Sequence, residues 1–165
     1  MFQLNRLYKK VATVGYKSLT YLKGIDNVVV IDNSVIMRWI LNDGSVEEQQ
    51  ISRFVLKAIS THDITPVVPF LWIYEASNVI TSYVKKGLIN IEVGQKRLGM
   101  PFDICHILDH KIDLSVLVDV SVKYNLSSYD ASYLSLANIL QCPISTLDKK
   151  LQRASLKFGR ELYAL

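Results

Sequence analysis

V-V-V-I-D-N-S at residues 28–34 is the stretch whose reading decides the fold. Val28 to Ile31 are all β-branched, and such side chains sit best on a pleated strand. The run has no polar alternation, so both faces should be covered, as in a parallel sheet between helices. It ends on a carboxylate, Asp32. In open α/β sheets the carboxyl edge of the strands is where ligands bind. Asp32 could equally start a turn or cap the next helix, and this segment alone does not decide between the two.

Downstream, Ser34 to Leu41 reads as a short helix with Ser34 as its N-cap, broken at Asp43-Gly44. Val46 to Ser60 places Ile51, Phe54, Val55 and Ile59 at helical spacing. T-P-V-V-P at 65–69 predicts a short buried strand bounded by prolines. Leu71 to Lys86 predicts a helix stopped by Gly87, and Ile91 to Ile104 another whose end near Pro101 is ambiguous. A short strand is expected at 109–112, helices over Leu114 to Tyr124 and Tyr129 to Leu140, and a strand in P-I-S-T-L-D at 143–148. A helix over Lys149 to Phe158 and a last strand over Glu161 to Leu165 complete the reading. Strands alternate with helices, which predicts an α/β fold with a parallel sheet between helical layers.

Upstream, residues 1–27 read as a basic N-terminal extension to a domain spanning 28–165. Of the 19 basic and 15 acidic side chains, the extension holds five basic and one acidic, so residues 28–165 are balanced at 14 and 14. The net charge of +4 is therefore that of the extension, and any nucleic-acid footprint on the domain must be local. The extension reads as a targeting peptide, a start placed too far upstream, or a short docking helix. Lysines interrupt any secretory apolar core, and no apolar run approaches the ~18 residues of a membrane span. Two cysteines, Cys105 and Cys142, make no disulfide framework, and the expected compartment is a reducing cytoplasm.

Four carboxylates stand out. Asp32 and Asp148 follow strands that, in a parallel sheet, point out of the same edge. Glu75 lies early in a helix leaving that edge, in L-W-I-Y-E-A-S-N-V-I, and Asp130 lies in the first turn of S-S-Y-D-A-S-Y-L-S-L-A. Acids near a helix start gain from its dipole, which is reason enough for Glu75 and Asp130 taken singly. Both helices are otherwise apolar, however, and no Lys or Arg lies one turn away from either acid. Four carboxylates brought together would raise one another's pKa, which a hard divalent cation relieves; oxygen-only ligands suit Mg²⁺ or Mn²⁺. A metal-dependent phosphate site and scattered structural acids both remain open on the chemistry alone.

V-I-D-N-S at 30–34, E-A-S-N-V-I at 75–80, Y-D-A-S-Y-L-S-L-A at 129–137 and S-T-L-D-K-K-L at 145–151 occur in that order. Together they resemble the four motifs of PIN-domain nucleases, in particular the VapC-type toxins of toxin–antitoxin pairs, over roughly residues 28–165. The resemblance implies a small three-layer α/β/α sandwich and an acidic pocket for Mg²⁺ or Mn²⁺. It further implies endonucleolytic cleavage of RNA, inhibition by a cognate antitoxin protein, and a homodimer. Carried over position by position, Asp32, Glu75, Asp130 and Asp148 are the catalytic and metal-holding acids, with Asp32 and Asp148 as direct ligands. Ser34, Asn78 and Thr146 match the supporting polar residues. Asn33 departs from the commoner small residue, and the extension is not typical of the family.

Lys149, Arg153, Lys157 and Arg160, spaced by 4, 4 and 3, predict a basic face on the helix starting beside Asp148, with Lys150 next to it. It could track an RNA backbone or be an ordinary solvated face. C-H-I-L-D-H, with Cys105, His106 and His110, fits no zinc spacing, and His62 stands alone. No glycine-rich dinucleotide loop or Walker loop occurs. Trp39, Trp72 and the tyrosines read as core or interface rather than as platforms for bases. A haloacid-dehalogenase-like phosphatase would want an acid where Ser34 stands. A PIN fold that binds RNA or protein without cutting is the non-enzymatic rival.

Overall fold

In the computed structural model, Leu22 and residues 25–41, 43–109 and 112–164 are described. All but the end of the basic extension, together with His110, therefore lies outside the described residues. Four strands, β1 (Val28–Ile31), β2 (Thr65–Pro69), β3 (His106–Leu108) and β4 (Ile144–Ser145), form one sheet in the order β3-β2-β1-β4. Every pairing in it is parallel. Seven helices are described: α1 (Asn33–Ile40), α2 (Val46–Ser60), α3 (Trp72–Lys85), α4 (Ile91–Ile104), α5 (Leu114–Tyr124), α6 (Ser128–Leu140) and α7 (Lys149–Phe158). On one side α6 lies against β1, β2 and β4, with α5 and α7 packed on it, while α1 packs against α2, α3 and α4. The result is a three-layer α/β/α sandwich.

β1 explains itself: Val29, Val30 and Ile31 are at most 2% exposed, buried from both faces as their unbroken apolar run requires. Burying side chains of this size contributes roughly 1.5–3 kcal/mol each. The largest fully buried side chains, Trp72 and Tyr133 among them, come from β1, β3, β4 and the helices around them, so the core is continuous across the sheet. From β1 the chain steps outward to β2 and β3, then returns to place β4 on the other side of β1. The order reverses between β1 and β4, and the crevice outside the carboxyl ends of those two strands is where α/β sheets offer a ligand site.

Several local expectations are corrected, and the ambiguous end of α4 is resolved in favour of the expected Ile104. Ser34 is not the N-cap of α1; Asp32 is, with extended backbone and its carboxylate accepting from the Ser34 N–H. The third strand is His106–Leu108 rather than 109–112, because Ile107 and Leu108 are the apolar side chains a buried strand needs and D-H-K-I is not. α4 runs through Pro101 to Ile104, with the Cys105 N–H closing onto the Pro101 carbonyl at 3.0 Å. The strand expected at 143–148 is only Ile144–Ser145, and the C-terminal segment adds a single parallel bridge, Ile144 to Leu162.

Candidate active site

The reversal point of the sheet gathers the predicted acids. Asp32 leaves β1, and its N–H donates to the Ser145 carbonyl of β4 at 2.9 Å. Its carboxylate is 6% exposed. All of its hydrogen bonds fall on Oδ2: the Ser34 N–H at 3.3 Å, the Ser34 hydroxyl, and the Thr146 hydroxyl at 2.8 Å. Thr146 Oγ1 in turn accepts from the Asp148 N–H at 3.1 Å, and Ser34 Oγ accepts from the Leu147 N–H at 3.0 Å. Two hydroxyls thus stitch the end of β1 to the loop leaving β4. Gln152 holds that loop from behind, its amide donating to the Thr146 carbonyl at 2.8 Å.

Glu75 sits half-buried in the first turn of α3, and its Oε2 accepts from the buried Tyr133 hydroxyl of α6. Asp130, also half-buried, is in the first turn of α6; its N–H donates to the N-cap hydroxyl of Ser127 at 3.1 Å, and that hydroxyl donates to Asp130 Oδ2 at 2.7 Å. Asp148 is exposed and caps α7, its Oδ1 accepting from the N–H groups of Lys150 at 2.7 Å and Leu151 at 2.9 Å. Helix dipoles favour acids at all these starts. A pattern nonetheless runs through them that capping does not require. Among the described residues, each of the four carboxylates has one oxygen held by hydrogen bonds and the other in none.

Three of the acids share one electrostatic environment. Burial pushes the Asp32 carboxyl up from its ordinary range, against the hydroxyl bonds from Ser34 and Thr146, and the charge of Asp130 adds to the rise. Burial pushes Glu75 up to about 7; the Tyr133 bond opposes this, and the charges of Asp32 and Asp130 reinforce it. Burial, followed by those same charges of Asp32 and Glu75, holds the Tyr133 hydroxyl well above its usual range. Among the described residues the ion pairs lie at Arg38, and none of them reaches this pocket. The donor set is all oxygen, as a hard cation prefers. Among the described residues no group of three His, Cys, Asp or Glu side chains stands ready to hold a metal ion. An all-oxygen set of this kind, if it holds a cation, would do so with one or two carboxylates and water in the rest of the shell.

The structure brings together Asp32, Glu75 and Asp130, and links Asp148 to them through Thr146. Asn78 lies exposed one turn after Glu75, with no hydrogen bond tying it to the acids among the described residues. Sequence reasoning passed over three side chains at the site. Tyr133 was signalled by its place three residues after Asp130, on the same helix face. Ser127 was signalled as an N-cap three residues before it. Asn33, whose buried Oδ1 has no partner, had no sequence signal beyond its position next to Asp32. The basic face is also redrawn. Lys149, Arg153 and Lys157 lie exposed on α7, but Arg160 follows Gly159, which ends the helix at φ +84°. The 3.6-residue spacing no longer applies there, and Arg160 Nη1 donates to Gln141 Oε1 at 2.9 Å instead. Cys105, beside His106, is a buried thiol pushed up to about 12 by burial, the opposite of a ready metal ligand.

No family model matches the chain, and no curated protein matches it. Among solved structures it is similar to the crystal structure of PAE2754 from Pyrobaculum aerophilum, with a TM-score of 0.61 and 20% identity, covering 78% of this chain and 86% of that one. At that identity the likeness shows the fold alone.

Proposed function

We propose that this chain is a Mg²⁺- or Mn²⁺-dependent endoribonuclease of the PIN-domain kind, the toxin of a type II toxin–antitoxin pair. The observation that carries the reading is the set of carboxylates Asp32, Glu75 and Asp130, with Asp148 tied to Asp32 through Thr146, each with one oxygen held by hydrogen bonds and one in none, and no ion pair to any of them among the described residues. Asp32 and Asp148 offer their open oxygens as ligands, and the Ser34 and Thr146 hydroxyls fix how the two sit relative to each other. A divalent cation bound there would supply positive charge to the phosphate and acidity to a water molecule. Glu75, with Tyr133 orienting Oε2, would complete the shell or hold metal-bound water. Asp130 completes the negative wall. Exposed apolar side chains on α5, Leu114 and Val122 above all, support self-association or contact with the antitoxin. Two free buried cysteines support a reducing, cytoplasmic setting, and among the described residues no helix is long and apolar enough to cross a membrane.

The test is cleavage of mixed cellular RNA by the purified protein with Mn²⁺, with EDTA, and by Asp32→Asn. Discrete cuts that need metal and vanish in the variant are expected; equal cutting by Asp32→Asn overturns the reading. A second reading is a PIN fold that binds RNA or protein without cutting. It predicts no cleavage and no gain of melting temperature with Mn²⁺, whereas a working site gains stability by mass action.

A further inference from the structure

Between the C-terminal end of α5 and one face of α7 runs a groove of about 290 Å³, lined by Lys123, Tyr124, Asn125, Lys150, Arg153 and Lys157, with Ala154 at its floor. Four cations face it and no acid does. None of the four is in an ion pair among the described residues; Lys123 only stands over the Tyr124 ring at 5.3 Å. Helix capping accounts for two of them: Lys123 and Lys157 lie in the last turns of α5 and α7, where the dipole favours a positive charge. It does not account for the others. Lys150, in the first turn of α7, is disfavoured by the dipole, Arg153 lies beyond its reach, and neither is in an ion pair among the described residues. Both side chains are exposed and free to meet an anion from outside.

The position of the groove says which anion. Its α7 wall begins two residues beyond Asp148. Its α5 wall ends at Asn125, turned in the left-handed conformation at φ 52°, on the short connection into the helix start that carries Asp130. Both walls lead to the acidic pocket, which by itself repels a phosphate chain. A polyanion that reaches those acids needs cations beside them, and this groove, on the two elements that lead to them, holds four of the domain's 14. We infer that the α5–α7 groove seats the phosphates of single-stranded RNA next to the bond to be cut, held by Lys123, Lys150, Arg153 and Lys157; this rests on the nuclease reading of the four acids.

The experiment measures binding of a short polyuridine by the full chain in EDTA over a range of salt. It compares wild type, Lys123→Gln/Arg153→Gln, and a charge-matched control, Lys57→Gln/Lys85→Gln, whose exposed lysines lie on α2 and α3. Each phosphate contact on a single strand contributes about 0.7 to the slope of log affinity against log salt, so the groove variant should lose about 1.4 in slope and roughly tenfold or more in affinity at low salt. The control should lose neither. Equal losses in both variants, or none in the groove variant, overturn the groove. Polydeoxyuridine binding with the same affinity and the same groove dependence would make the groove a seat for any phosphodiester strand and overturn its assignment to RNA. Melting with and without Mn²⁺ separates the two proposals. A groove variant that keeps the Mn²⁺ shift and loses RNA affinity supports both. A wild type with groove-dependent RNA binding but no Mn²⁺ shift and no cleavage keeps the groove and removes the nuclease.

Discussion

The two ends of α1 each set a tyrosine against a carboxylate, and they do so to opposite effect. Beyond its C-terminal end, Asp43 accepts from the Tyr83 hydroxyl on Oδ2 and from Arg38 on Oδ1, and Arg38 Nε stands 3.5 Å from Glu48. Gly44, at φ +85°, lets this cluster close; a Cβ there would lie 2.5 Å from Arg38 Nε. Both carboxylate oxygens are used and the charge is met by a guanidinium from the same helix. At the N-terminal end, Glu75 accepts from Tyr133 and Asp32 from two hydroxyls, yet each keeps an oxygen in no hydrogen bond, and among the described residues no cation pairs with them. The difference separates a closed structural cluster from a carboxylate pocket with open oxygens.

The largest effect expected to sharpen this contrast is at Asp32. Asp32→Asn should lower Mn²⁺-dependent RNA cleavage by at least about a hundredfold. In EDTA it should melt no lower than wild type, because a buried, unneutralised carboxylate is removed. A variant that melts far lower and still cuts would make Asp32 a structural cap. Next is Thr146→Val, which deletes the hydroxyl joining Asp32 to the Asp148 backbone. A tenfold or greater loss of Mn²⁺ affinity, read from the melting shift against metal concentration, is expected, since orienting partners of ligands typically count for about 10–100-fold. Unchanged affinity would show that the two acids do not act together.

The pH dependence of the metal-free protein comes third. Glu75 in the folded chain titrates at about 7 against 4.5 when unfolded, so between those values the folded state holds a proton that the unfolded state has released. Stability contributed at low pH is therefore lost as pH rises through this window, and Asp32, also raised, acts in the same direction. For a half-buried carboxyl screened by solvent, about 1–2 kcal/mol is expected. Urea unfolding at pH 4.5 and 7 measures it, and saturating Mn²⁺ should flatten the loss. A flat metal-free profile would mean the pocket is better solvated than its burial implies. The smallest effect is at the other end of α1. Arg38→Met leaves Asp43 and Glu48 without their cation and should cost about 0.5–1.5 kcal/mol in the same unfolding assay, with the Mn²⁺ shift unchanged. A lost Mn²⁺ shift would mean the two ends of α1 are not independent.

Much of the fold was legible because its elements carry strong local signals. The β-branched run of β1 allowed no other face to be exposed, and α2, α4 and α5 have the bounds their spacing and caps predict. The strand misplaced at 109–112 lies in a stretch where a proline inside α4 blurred the helix end, and where three residues, H-I-L, are too few to show a period. The site was legible as four acids in apolar settings, each after a strand or at a helix start. Tyr133 was not, because a tyrosine in an apolar helix looks the same from sequence whether its hydroxyl faces an acid or not. Arg160 was misplaced because equal spacing continues through a glycine in sequence and stops at it in space.

By itself the sequence determined the helices, the first two strands and which acids should leave the sheet at one edge, since periodicity and parallel pairing are local and repetitive. Only the tertiary structure decided that β4 returns beside β1, that Thr146 and Ser34 hold Asp32, and that Lys123 joins Lys150, Arg153 and Lys157 around one groove. Those depend on contacts between residues far apart in the chain, for which no local pattern carries the distance.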